Sequence, residues 1–326
     1  MKKKFAFYWA ASCGGCEIAV LDINEKILEV IKNADILFWP VAIDTKYKDV
    51  EALPDNYFDF CFFNGSIRNS EQEHLAKLLR KKSKNLVAFG SCACEGCIPG
   101  LANLYKKEDI LKRAFLETES TKNPKEIIPQ EAIPYNGEKI VSSEFYSQVF
   151  PLDEIVTVDY YLPGCPPPTG LIILAMEKIF NNEDIFKKSV LAPVKSLCDT
   201  CERNESFPKK LPAIKRMIDI QPDPKTCFLA QGIICLGPAT RSGCNNLCIK
   251  GNAPCSGCLG PLPEVVDQGA KMISALASIL LLDEERKNYE DFYQILEREL
   301  AKIKDPIGTF YMYSLAKAIL NKRREK

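Results

Sequence analysis

Hydrophobic positions in the first half of the chain come in short continuous runs separated by segments of helical period, the pattern of a parallel sheet covered by helices on both faces. Phe5 to Ala11 reads as a first strand. Glu17 to Ile31 reads as a helix with Ile18, Leu21, Ile27, Leu28 and Ile31 on its inward stripe. Ala34 to Val41 and Tyr57 to Ile67 are the next two strands, and Asn69 to Lys82 is a helix that turns Leu75, Leu78 and Leu79 inward. Leu86 to Phe89 and Ile155 to Tyr161 complete the strands, with a helix from Gly170 to Phe180. Between them, Glu117 to Phe150 is rich in Pro, Glu, Lys and Asn and reads as a surface excursion. The fold class expected is α/β, a doubly wound parallel sheet. After about residue 185 the periodicity gives way to Gly, Pro and Asn, so a second domain, 186–326, is expected behind a first, 1–185.

Composition narrows the function. With 326 residues the chain suits two domains. Lys and Arg number 43, matching 43 Asp and Glu, and this balance argues against nucleic-acid binding, which draws on an excess of positive charge. A hydrophobic fraction of 46% excludes a disordered chain. The start, MKKKFAFYWAASC, imitates a secretory leader, but Tyr8 and Trp9 interrupt its short apolar run and Cys16, Glu17 and Asp22 follow at once. No apolar run approaches the ~20 residues of a membrane span. Val265 to Leu282, the nearest candidate, contains Asp267, Gln268 and Lys271 and reads as an amphipathic helix. A cytoplasmic, reducing location is expected, where thiols bind metals more often than they form disulfides.

That matters because there are 15 Cys and 1 His. Cys13 and Cys16 follow the first strand, Cys92, Cys94 and Cys97 the fourth, and Cys165 the fifth. In an open α/β sheet the carboxyl ends of strands gather along one edge, where ligands bind. Gly14, Gly15, Gly90 and Gly164 let backbone approach something bulky there. Cys13, Cys16, Cys92 and Cys165 therefore form one four-thiolate set; Cys94 and Cys97 compete with Cys92, which is preferred for its place directly at the strand end. Cys61, inside the third strand, reads as a small buried hydrophobe and His74 as a solvated helix residue. Eight further cysteines, 198, 201, 227, 235, 244, 248, 255 and 258, make two more sets of four in a segment too poor in periodic apolar surface to hold itself together without metal. Spacing alone leaves structural zinc open for these. Twelve thiolates in three sets also fit three [4Fe–4S] clusters.

Taken in order, SCGGCE, GSCA, LPGCPPP, CDTC, CLGPATRSGC and APCSGCLGP, spanning Ser12 to Pro261, resemble the small electron-transfer subunit of nickel–iron hydrogenases, and within it the cytoplasmic methyl-viologen-reducing (F420-non-reducing) type. The resemblance implies a flavodoxin-like domain carrying a proximal cluster on Cys13, Cys16, Cys92 and Cys165. It is followed by a loop-rich domain with a distal cluster on Cys198, Cys201, Cys227 and Cys235, a medial one on Cys244, Cys248, Cys255 and Cys258, and C-terminal helices after about Asp283. It further implies an oxidoreductase subunit with no catalytic residue of its own. The nickel–iron centre would lie on a large-subunit partner, and the acceptor would be a heterodisulfide reductase-type complex reached through a small iron–sulfur adaptor.

Three departures stand out. Cys198 replaces the His of the periplasmic relatives. Cys248 replaces a common Pro, which implies a medial cluster with all four irons and a lower potential, within the roughly −700 to +450 mV that clusters span. Cys97 stands where the family more often has Gly. Glu17, next to Cys16 and near the expected subunit boundary, reads as a carboxylate favoured by a helix start. The competing readings are a zinc-stabilised interaction module without redox function and a single-cluster subunit of the complex I quinone-reductase type.

Overall fold

Apolar runs in the first half become the strands of one sheet. The computed structural model describes residues 2–183, 186–211, 213–280, 294 and 297–321, and the chain divides into two units, Met1–Val190 and Leu191–Lys326. The first unit runs β1 (Lys3–Trp9), α1 (Gly15–Leu21), α2 (Ile27–Asn33), β2 (Ala34–Phe38), α3 (Tyr47–Ala52), β3 (Phe58–Asn64), β4 (Ile67–Asn69), α4 (Ser70–Lys82) and β5 (Ser83–Phe89). It continues through α5 (Ser91–Glu95), α6 (Cys97–Gly100), α7 (Lys107–Lys112), β6 (Ala132–Tyr135), β7 (Glu138–Val141), β8 (Phe145–Phe150), β9 (Tyr160–Leu162), α8 (Thr169–Phe180) and β10 (Ser189–Val190).

Six strands pair in the order β10-β9-β5-β3-β1-β2, with every neighbouring pair parallel. Successive side chains of a strand face opposite ways, so a sheet covered on both faces buries consecutive residues. Phe5, Ala6 and Phe7 in β1, Cys61, Phe62 and Phe63 in β3, and Leu86 to Phe89 in β5 are accordingly buried. β1 lies between β2 and β3, which makes it the point where the winding reverses and a crevice opens at the carboxyl ends. This is the α/β architecture that the hydrophobic pattern predicts.

Several details differ. The expected helix from Glu17 to Ile31 is broken: α1 ends at Leu21, and a left-handed Asn24 (φ 54°) opens a short 3₁₀ turn that leads into α2. The expected stripe does not face inward in either piece: Ile18 and Leu21 in α1 and Leu28 and Ile31 in α2 are exposed, and Ile27 is half-buried. Cys16, Ala19, Val20, Ile23 and Val30 are buried instead. The excursion is only partly loose. β6 and β7 form an exposed antiparallel hairpin, whereas β8 pairs with β4 and buries Val149. The fifth strand shrinks to β9, and β10, a strand the pattern does not signal, pairs beside it. α4 forms as expected, with Asn69 accepting from Gln72 N–H at 2.8 Å as its N-cap.

The second unit is mostly 3₁₀ turns and loops around α9 (Leu247–Lys250), α10 (Gln268–Ile279) and α11 (Pro306–Tyr311). Residues 281–293, on which the helices expected after Asp283 begin, lie outside the described residues. Buried polar side chains tie the loops together. The Arg203 guanidinium donates to Ile249 O at 2.8 Å and Asn252 Oδ1 at 3.1 Å and lies over the Phe228 ring. Arg241 donates to Pro193 O at 3.1 Å and Pro261 O at 2.8 Å, and Gln268 to Thr240 Oγ1 and Gly257 O. An apolar core including Phe228, Leu236, Ile249, Met272, Leu276 and Phe310 lies within the unit, so more than thiol chemistry holds it. Among the described residues no helix is long and apolar enough to cross a membrane.

Candidate metal centres

At the carboxyl edge of the sheet three loops meet. Cys13 and Cys16 sit where β1 passes into α1, through Gly14 in the left-handed region (φ 81°). Cys92 begins the turn after β5, and Cys165 follows β9. The last two loops are stitched together: Gly90 N–H donates to Leu162 O and Ser91 N–H to Gly164 O, both at 2.8 Å, while Gly164 N–H donates to Ser91 Oγ at 3.0 Å. A Cβ added at Gly90 would lie 2.3 Å from Cys16 Sγ, so only glycine leaves the space the sulfur occupies. Burial pushes the Cys16 thiol up, and charge on Cys92, Cys165 and Cys13 pushes it further, which places these four thiols in one electrostatic neighbourhood. Such a donor set cannot carry four thiolates without a cationic partner, and soft iron or zinc supplies one.

The other two cysteines of the β5 loop part ways. Cys94 Sγ donates to Ala88 O at 3.3 Å and packs in the core under the sheet. Cys97 is buried against Cys92 and Cys165. Glu17 is also buried, rather than an exposed carboxylate at a helix start: it accepts from Trp39 Nε1 and from Asn64 Nδ2 at 3.5 Å, and burial raises its pKa against those two bonds. Only tertiary structure brings Trp39 and Asn64 to it. Cys61 is fully buried in β3, and His74 is exposed, 3.4 Å from Glu51 Oε1.

In the second unit eight cysteines line two recesses. One, of about 370 Å³ and partly open to solvent, is bordered by Cys198, Cys201, Cys227 and Cys235 with Phe228 and Gly237. A Cβ at Gly237 would meet Cys198 Sγ at 3.0 Å and Cys235 Sγ at 3.7 Å. Burial first, and then neighbouring thiols, push Cys198 up to about 12 and Cys235 up to about 11. The other recess, of about 300 Å³, is bordered by Cys244, Cys248, Cys255 and Cys258 with Thr240 and Asn246. Cys255 N–H donates to Cys235 Sγ at 3.3 Å, which links the two. Among the described residues, no three such side chains close on a single-ion position. In each recess four thiols border one space.

The family model for NADH ubiquinone oxidoreductase, 20 Kd subunit, matches residues 13–179. An F420-non-reducing hydrogenase iron-sulfur subunit from Archaeoglobus profundus is 39% identical over 99% of this chain and 99% of its own length. An F420-non-reducing hydrogenase subunit of Methanothermobacter thermautotrophicus is 35% identical over 100% of this chain and 98% of its own length. The chain belongs to the small subunits of F420-non-reducing nickel–iron hydrogenases. It is an oxidoreductase subunit of that family. Among solved structures, a [NiFeSe] hydrogenase from Desulfovibrio vulgaris Hildenborough matches with a TM-score of 0.51, covering 81% of this chain and 95% of that one at 16% identity, a likeness of fold. The 20 Kd-subunit model stops at residue 179, before the second unit. Identity that continues through both units favours the hydrogenase family over a complex I-type subunit, and the thiol-rich sites fit the iron–sulfur chemistry of such a subunit.

Proposed function

We propose that the chain is the electron relay of a hydrogenase. Hydrogen is oxidised at a nickel–iron centre on a separate large subunit, and three [4Fe–4S] clusters carry the electrons onward. Cys13, Cys16, Cys92 and Cys165 hold the proximal cluster, Cys244, Cys248, Cys255 and Cys258 the medial one, and Cys198, Cys201, Cys227 and Cys235 the distal one. When bound, these clusters supply one-electron redox chemistry. The protein supplies four sulfur donors at each, glycines that admit the group, and backbone N–H donors such as Cys255 N–H, which polarise sulfur and tune its potential.

The observation that carries this reading is the grouping of twelve cysteines into three four-thiol neighbourhoods, two of them recesses lined by four each. Zinc in the same places would leave a hydrogenase subunit without a path for electrons. The two domains share the relay, with 1–185 carrying the proximal cluster and 186–326 the other two. The electrons leave in the cytoplasm for a heterodisulfide reductase-type acceptor through a small iron–sulfur adaptor. Replacing Cys255 by Ser in the native complex removes a medial ligand and should cut hydrogen-dependent dye reduction by at least about tenfold, with circular dichroism of the chain unchanged. An unaltered rate would remove the medial assignment.

A further inference from the structure

Arg203 is only 3% exposed, follows Cys201 by two residues, and borders the recess of Cys198, Cys201, Cys227 and Cys235. A buried cation is costly unless an anion or a full set of hydrogen bonds compensates it. The bonds of Arg203 go to neutral groups: Nη2 donates to Ile249 O and Asn252 Oδ1, and Nη1 to Asp223 O at 3.5 Å. The Asp223 carboxylate is engaged elsewhere, accepting from Lys225 N–H at 3.0 Å and from Thr226 Oγ1. Nε is buried with no hydrogen-bond partner among the described residues. The guanidinium carbon lies 4.6 Å from the centre of the Phe228 ring, which borders the same recess. A guanidinium has five N–H donors, and here three neutral acceptors and a ring face answer them. Its charge is left without a carboxylate ion pair among the described residues.

We infer that Arg203 is a positioning residue of the distal centre: its fixed positive charge offsets the anionic cluster held by the four cysteines of the recess and raises that cluster's reduction potential. This rests on the assignment of Cys198, Cys201, Cys227 and Cys235 as the ligands. A cubane on four thiolates is a net anion, and reduction adds a further negative charge, so a neighbouring cation favours the reduced form. Arginine keeps its proton in proteins, which makes the charge permanent. Burial leaves it weakly screened by water and salt.

Arg203→Gln removes the charge and keeps a donor, whereas Arg203→Lys keeps the charge on a different skeleton. The full chain, reconstituted anaerobically, is titrated electrochemically and followed by electron paramagnetic resonance, with iron counted in the same samples. The distal signal is identified as the one lost in Cys198→Ala. The expected result is a distal midpoint shifted to more negative potential in Arg203→Gln at unchanged iron content, with a return toward the parent value in Arg203→Lys. An unmoved midpoint in Arg203→Gln overturns the proposal, and so does an equal shift in both variants, which marks a role in folding alone. Where Arg203→Gln loses the distal iron, Arg203→Lys decides: iron held near the parent midpoint supports the charge, and iron lost there too contradicts it. Failure of the underlying assignment is distinguishable, because Cys198→Ala would then retain all the iron and every signal.

Discussion

Gly90 shows how much of the first centre depends on single atoms. Its backbone is left-handed (φ 83°), and a Cβ would fall 2.3 Å from Cys16 Sγ. Gly90→Ala is expected to destabilise the first unit by about 1–3 kcal/mol and to lower reconstituted iron by about four per chain, one cubane; urea unfolding and iron analysis read the two effects. Cysteine positions at strand ends were legible in the sequence because topology alone brings loops about 75 residues apart to one edge. Partners that arrive from elsewhere in the fold were not legible. Glu17 meets Trp39 and Asn64, and Arg203 meets Ile249 and Asn252, through contacts that no local spacing encodes. For Cys97 the sequence shows only a further thiol in the loop after β5; its burial beside Cys92 and Cys165 is a tertiary feature.

Elements with a strong period and a cap were read correctly from sequence, and those that depend on a break were not. α4 has both, and its start rests on the Asn69 side chain accepting from Gln72 N–H. Asn69→Ala should cost about 1 kcal/mol, seen as a lower urea midpoint with unchanged slope; an unshifted midpoint would mean solvent replaces the cap. The segment from Gly15 to Asn33 failed as a continuous helix, since Asn24 adopts the left-handed conformation that asparagine tolerates better than most residues. The apolar residues of the expected stripe face the surface on both sides of the break: Ile18, Leu21, Leu28 and Ile31 are exposed. β10 was invisible because two residues carry no period, and its pairing with β9 is a tertiary event. In the second unit the short turns have no hydrophobic period to read, while Arg203, Arg241 and Gln268 bond the carbonyls that such loops would otherwise bury unpaired.

For the whole molecule, 43 cations and 43 anions leave no bias toward a polyanion. The chemistry lies instead in 15 cysteines, of which twelve fall into three neighbourhoods and Cys61, Cys94 and Cys97 lie apart from that count, two in the core and one at the first centre. The sheet unit offers one site at its carboxyl edge, and the loop-rich unit offers two recesses of comparable size. Such an arrangement is the one the proposed relay requires. The most direct test is metal and sulfide analysis of the full chain after anaerobic reconstitution, combined with Mössbauer spectroscopy. Three four-iron cubanes predict about twelve irons and twelve sulfides per chain, without zinc. Zinc in place of iron, or a single four-iron cluster, would contradict the relay.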